Sequence, residues 1–259
     1  MVRRRRASDL VVRKKQSKAL LGDYIPEDIH KYRVCKHTFT IYIGGDPDSL
    51  DESTDEPGVE YRMADRLELN IGLLSSIDSE RPILVKLSSC GGSWPDGMQM
   101  FSAILTCPNP ITVLGTKWCE SMTSIIPLAA DRFILRPPAQ YMFHRGSHEF
   151  GGTDLEADTD DVERRRVLET MMRIYIARLH EQGRYSGHAE RRIREILDKG
   201  LEKKSDVWLT ADEAVEWGFA DGIFTGDHAT LRAARKNLAR RERMMAVLRK
   251  PVHVEIKIS

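Results

Sequence analysis

Three residues of types that do acyl chemistry stand at the ends of apolar runs in this chain. Ser121 lies in Gly115-Thr-Lys-Trp-Cys-Glu-Ser-Met-Thr-Ser124, where an apolar strand pattern (Ile111–Leu114) gives way to an apolar helical one (Met122–Ala130). His144 closes Tyr141-Met-Phe-His144, and Asp206 opens Asp206-Val-Trp-Leu-Thr210. A serine hydroxyl is a poor nucleophile at its free pKa. It needs a neutral imidazole to take its proton and a carboxylate to hold that imidazole in one tautomer. The tetrahedral intermediate then needs backbone N–H donors. Two places can supply them. The turn Gly91-Gly92, followed by Ser93, lets the backbone approach a substrate closely. Met122 opens a helix, where amides have no internal partner. From spacing alone the signal is weak, because 62 residues separate His144 from Asp206 and only the fold can join them. His148 is a rival base, and Asp212 is a rival carboxylate with a local capping task.

The elements that must position these residues are legible in the periodicity. Thr38–Ile43, Ile83–Leu87, Ile111–Leu114, Arg132–Leu135 and Tyr141–Phe143 read as strands. Helices are expected over Tyr61–Ile77, from Pro95 to Ile104, and from Ser121 through Ala130. Strands alternating with helices imply parallel pairing through crossovers, an α/β class. A long charged helix spans Leu155–Gln182, and a shorter one Ala189–Asp198. Thr210-Ala-Asp-Glu213 is a capping box, and Gly218 closes its helix. Ala229–Leu248 reads as one basic amphipathic helix, and Val252–Ile258 alternates like a terminal strand.

The 259 residues suffice for one large domain or two small ones. The formal net charge is only +1, so no long-range attraction to nucleic acid is implied for the whole molecule. Charge is nonetheless segregated. Residues 1–18 carry eight Lys/Arg against one Asp, 46–60 carry seven acids and no base, and 228–250 carry eight Lys/Arg against one Glu. We read residues 1–36 as a basic irregular extension with a short helix around Ser17–Leu21. Residues 44–58 read as an exposed acidic loop, and the C-terminal basic run as a solvated helix face. No aromatics interleave the basic runs, so nucleic-acid binding gains no support. The four cysteines show no CxxC spacing, there is no apolar run of signal-peptide or membrane-span length, and a cytoplasmic protein without metal or cofactor is expected.

Four blocks, taken in order, resemble the proteolytic subunit family of the Clp protease, ClpP. Leu87-Ser-Ser-Cys-Gly-Gly-Ser-Trp-Pro-Asp-Gly-Met98 resembles its Ser-Pro-Gly-Gly segment. Glu120-Ser-Met122 resembles its Ala-Ser-Met, and Tyr141-Met-Phe-His144 its Val-Met-Ile-His. Asp206-Val-Trp-Leu-Thr-Ala-Asp-Glu-Ala-Val-Glu-Trp-Gly-Phe-Ala-Asp221 resembles its last conserved-type block, Asp-x-Phe-Leu-Ser-Ala-x-Glu-Ala-Val-Glu-Tyr-Gly-Leu. The resemblance implies a crotonase-like ClpP fold of stacked ββα units over residues 37–226, with residues 155–182 as a protruding handle helix. It implies a serine endopeptidase acting on peptides or unfolded proteins. Its catalytic residues would be Ser121, His144 and Asp206, with Gly92 and Met122 as oxyanion donors and Gly91 and Ser93 at the substrate. It implies a homo-oligomer of stacked rings working with a AAA+ unfoldase, and acid and arginine clusters of the handle helix that pair between rings.

The sequence departs from the family pattern in the acidic loop 44–58, in the extension beyond Phe224, in the basic N-terminus and at two residues near the site. Cys90 stands where the family has proline, and Glu120 stands beside the nucleophile in place of a small residue. A Glu120 carboxylate facing the imidazole would raise the pKa of His144. Three other readings stay open at this point: a phage or prophage relative that matures capsid proteins, a non-catalytic paralogue shaping a mixed ring, and an acyl-CoA enzyme on the wider crotonase fold.

Overall fold

The protein is described here by a computed structural model that covers residues 26–45, 57–146 and 154–252. Helix α1 (Pro26–Tyr32) and the short strand β1 (Val34–Cys35) come first. Irregular chain was expected to residue 36, but Val34 and Cys35 pair antiparallel with Ile41 and Thr40 of β2 (Thr40–Gly44). Both are buried, so two apolar residues outweigh the basic composition around them. The helix expected at Ser17–Leu21, residues 46–56 of the acidic loop, His148 and the strand expected after Val252 lie outside the described residues.

Beside β2 run three parallel strands, β3 (Ile83–Ser89), β4 (Ile111–Glu120) and β5 (Arg132–Leu135). The crossovers are α2 (Tyr61–Ile77), α3 (Trp94–Thr106) and α4 (Met122–Ile125). In α2, Met63, Leu67, Ile71 and Leu74 recur every three or four residues, which sets them on one face, and that face is buried. The helix expected over Met122–Ala130 changes to a 3-10 turn at Ile126–Ala129. Pro127 explains the change, because its ring nitrogen carries no hydrogen to continue the α-helical ladder.

Strand β4 is ten residues long, not four, and is the point at which one eight-stranded sheet branches. Its first half pairs β3 and β5. The register with β3 then shifts between Leu87 and Ser89, with Leu87 opposite Gly115 but Ser89 opposite Cys119. Two extra residues on β4 bend it as a bulge does. Its far end re-pairs with β6 (Gln140–His144), which in turn pairs antiparallel with β7 (Asp206–Thr210). Among the described residues the last strand is β8 (Gly222–Ile223), beside β5.

Helix α5 (Asp154–Glu181) buries its second half through Met171, Ile174, Tyr175 and Leu179, while its first half stays largely on the surface. Acid and arginine side chains of this first half pair along the helix. Asp161 holds Arg164 and Arg165, and Glu163 holds Arg166. Helix α6 (Glu190–Lys203) buries Ile193, Leu197 and Leu201. Both arms of the Thr210–Glu213 capping box form at α7 (Ala211–Trp217), and Gly218 ends it in the left-handed region at φ 107°. None of the described helices is long and apolar enough to cross a membrane.

The basic C-terminal run is two helices, α8 (His228–Leu231) and α9 (Leu238–Arg249), not one. Asp227 and Asn237 cap them separately through their side-chain oxygens. Nor is the basic face wholly solvated. Arg240 is 3% exposed and bonds Glu181, Asp221 and the carbonyls of Ala130 and Asp131. Arg241 bonds the Asp131 carboxylate and the carbonyls of Cys107 and Asn109. A guanidinium fork matches such converging acceptors, so these two arginines fasten α9 to the base of α5 and the ends of α3 and β5.

Candidate active site

The site forms where β6 and β7 branch from β4. Ser121 follows the last residue of β4 and precedes α4, at φ 52° and ψ −122°. That backbone region is strained for a residue with a side chain, costing on the order of 1–3 kcal/mol. A sharp strand-to-helix turn of this kind lifts a hydroxyl clear of the sheet. Neighbouring bonds hold it there. Ser121 N–H donates to Met142 O at 2.9 Å. Thr123 Oγ1 accepts from Glu120 N–H at 3.0 Å and lies 2.6 Å from Ser89 O and 2.8 Å from Glu120 O. Thr123 and Ser124, both fully buried, were not singled out by the sequence. Their signal was two hydroxyls in the first turn after the serine.

His144 ends β6 and Asp206 begins β7, and the antiparallel register sets them directly opposite each other. Cross-strand partners project from the same face, so the register brings the two side chains together. His144 Nε2 lies 2.7 Å from Ser121 Oγ, and His144 Nδ1 lies 3.2 Å from Asp206 Oδ1. A carboxylate has no hydrogen to give, so it favours the proton on Nδ1 and leaves Nε2 to accept from Ser121. Asp206 is 42% exposed at its side chain. The rival Asp212 sits in the first turn of α7, on the surface.

Gly91 and Gly92 adopt φ of 95° and 147°. A Cβ on Gly91 would come within 2.6 Å of Ser121 Cβ and 2.8 Å of Met122 N. On Gly92 it would collide with Val59 O. Both positions therefore require glycine. The turn is pinned by Val59, whose N–H donates to Gly91 O at 2.7 Å and whose carbonyl accepts from Ser93 N–H at 2.8 Å. Val59 is another supporting residue that carries no sequence signal of its own. Met122 supplies the first amide of α4, beside the Gly91 backbone.

These residues open onto a cleft of about 830 Å³. Trp94, Ile125, Met142, Leu168 and Met171 form apolar walls, and Arg145 and Arg164 stand among its lining residues. Cys90 also lines it, with its thiol 3.6 Å from Pro57 O. Cys119 is fully buried below β4, and that burial pushes its thiol far above the ordinary range. The Glu120 carboxylate does not line the cleft. Burial raises its pKa, and the charge of Lys117 opposes that rise. Among the described residues no three His, Cys, Asp or Glu side chains group closely enough to hold a metal ion.

The Clp protease family model matches residues 56–227. The chain is 30% identical over 171 residues to the ATP-dependent Clp protease proteolytic subunit 1 of Chlamydia muridarum, covering 65% of this chain and 82% of that protein. It is 30% identical over 170 residues to the proteolytic subunit 2 of Thermobifida fusca, covering 64% and 77%. Among solved structures it is similar to a mutant of ClpP1 from Listeria monocytogenes. The TM-score is 0.58 at 23% identity, covering 76% of this chain and 96% of that one. The ClpP fold expected from the sequence is thus the fold observed.

Proposed function

This chain belongs to the Clp protease family, and on that premise we propose that it is a serine peptidase whose nucleophile is Ser121, whose base is His144 and whose orienting carboxylate is Asp206. The 2.7 Å separation between Ser121 Oγ and His144 Nε2 carries the proposal.

A peptide lies in the cleft with its scissile carbonyl over Ser121. Ser121 Oγ attacks the carbonyl carbon while its proton passes to His144 Nε2. The carbonyl oxygen becomes an oxyanion and is met by the amides of Met122 and Gly92. The tetrahedral adduct collapses, the C–N bond breaks, and His144 gives its proton to the leaving amine. Water then attacks the acyl-serine with His144 again as base, releasing the acid and restoring Ser121. Asp206 stays ionised throughout and stabilises the imidazolium. Every group in this sequence is supplied by the chain and the water. Gly91 and Ser93, beside the oxyanion turn, border the substrate strand.

The relatives are named subunits of an ATP-dependent protease. We extend that arrangement to this chain as stacked rings with an ATP-driven unfoldase feeding the chamber. The exposed apolar residues Tyr61, Leu69 and Leu73 along α2 support an assembled state. Two measurements test the function. The purified assembly is treated with a fluorophosphonate and digested, and the modified peptide is located by mass spectrometry. Modification at Ser121 supports the proposal, and an unmodified Ser121 in the assembled protein overturns it.

Asp206→Asn is expected to lower kcat on a short peptide about a thousandfold with little change in KM. A buried aspartate in this role is worth roughly ten-thousandfold, and the half-exposed Asp206 is screened more. The amide would donate to Nδ1 and leave the wrong tautomer facing Ser121. A kcat within threefold of wild type would remove Asp206 from the reaction.

A further inference from the structure

Beneath the cleft runs a chain of buried hydroxyls that the proposed reaction does not use. Ser124 Oγ donates to the carbonyl oxygen of Ser121 at 2.6 Å and lies 2.7 Å from Tyr175 OH on α5. Ser124 N–H donates to the same carbonyl at 2.9 Å. Tyr141 OH, on the strand that ends at His144, donates to Ser124 O at 2.9 Å. A serine hydroxyl has one proton. Since that proton goes to Ser121 O, the phenol of Tyr175 is the donor to Ser124. Burial pushes both phenols up, so both keep their hydrogens.

The geometry points to a task for this chain. Two donors on one carbonyl fix the peptide plane that follows Ser121, and that plane sets the ψ of a residue already held at a strained φ. Tyr175 is itself held one turn from Arg178, which bonds Phe219 O at 3.0 Å and Asp221 at 2.8 Å. We propose that Tyr175 and Ser124 are positioning residues, through which the placement of α5 sets the attitude of the Ser121 hydroxyl toward His144. The proposal rests on the reading of Ser121 as nucleophile.

Tyr175→Phe removes one oxygen and keeps the ring contacts with Phe143 and Phe219. We expect a folded variant whose fluorophosphonate labelling slows by ~10- to 100-fold, with an equal fall in kcat and an unchanged KM, because small misplacements of a reacting atom cost that much. Ser124→Ala falls at least as far, and the double variant falls no further than Ser124→Ala, since the phenol acts only through Ser124. A Tyr175→Phe protein that labels at the wild-type rate overturns the proposal. Should wild type itself fail to label, the nucleophile reading fails, and a crystal structure of Tyr175→Phe decides the positioning role separately. Opening of the Ser121–His144 contact beyond hydrogen-bond distance upholds the role, and an unchanged contact refutes it.

Discussion

Ser121→Ala is expected to cut peptide turnover by about a million-fold, the scale at which losing the nucleophile disables a whole catalytic set. The change removes one oxygen and leaves the strained turn intact. Alanine is no worse than serine at φ 52°, and the bonds from Thr123 and Ser124 to the surrounding backbone remain. His144 is partly exposed, so the Nε2 left without Ser121 can turn to solvent. Stability should therefore stay within about 1 kcal/mol of wild type, as for substitutions that neither open a cavity nor orphan a buried group. The assay is turnover of a short fluorogenic peptide by the purified assembly, with circular dichroism to confirm the fold. A folded variant that retains a tenth of wild-type kcat would transfer the nucleophile's role elsewhere.

The second large effect concerns stability. Asp221→Ala is expected to destabilise the protein by ~3–5 kcal/mol, because two buried guanidinium groups lose one of the two carboxylates they share and keep only Glu181. Arg178 is fully buried, Arg240 nearly so, and both bond Asp221 Oδ1. Asp221 Oδ2 also accepts from Phe133 N–H, so β5 loses a tie as well. At roughly 2–4 °C per kcal/mol for a chain of this size, the melting point should fall by about 6–20 °C. Acid provides an independent check. Burial alone would raise the Asp221 carboxyl, but the hydrogen bonds and charges of Arg240 and Arg178 outweigh it and hold the carboxyl far below the usual range. With the folded pKa depressed, the unfolded chain takes up the proton first. The stabilisation is complete above the unfolded value of about 4 and drains away as pH drops below it. Asp221→Ala should flatten that acid limb, and a variant with the wild-type limb and melting point would dismiss the cluster as a stability element.

What the sequence disclosed divides by the range of the interaction concerned. Local signals read well. The Thr210–Glu213 box, the Gly218 stop and the apolar face of α2 each depend on residues within one or two turns. The three side chains that meet in the cleft were named by residue type and by blocks in the right order, since their meeting depends on the β6–β7 register and the bend in β4. The strand expected to stop at Leu114 runs on through Gly115 to Glu120, where β4 exchanges β5 for β6 as its neighbour, and a change of partner has no periodicity. Arg240 and Arg241 looked like surface cations because their acceptors are far away in sequence: Asp131 stands 110 residues before Arg241. Val59 and Tyr175 support the site through bonds to distant backbone or hydroxyl groups, and nothing in their own segments marks them. Tyr175 meets its partner across 51 residues.

The distance between Asp131 and Arg241 also has a meaning in time. A ribosome adding ~5–20 residues per second needs roughly 5–20 s to make the 110 residues between them. Throughout that interval the acids at 131, 181 and 221 emerge before Arg240 and Arg241, two of the guanidinium groups that will pair with them. Closure by α9 therefore comes well after the cleft residues have been synthesised. Pulse proteolysis of chains arrested at residue 237 and at residue 252 reads that closure directly. The shorter chain should be cut faster, and equal resistance would show that closure does not wait for α9.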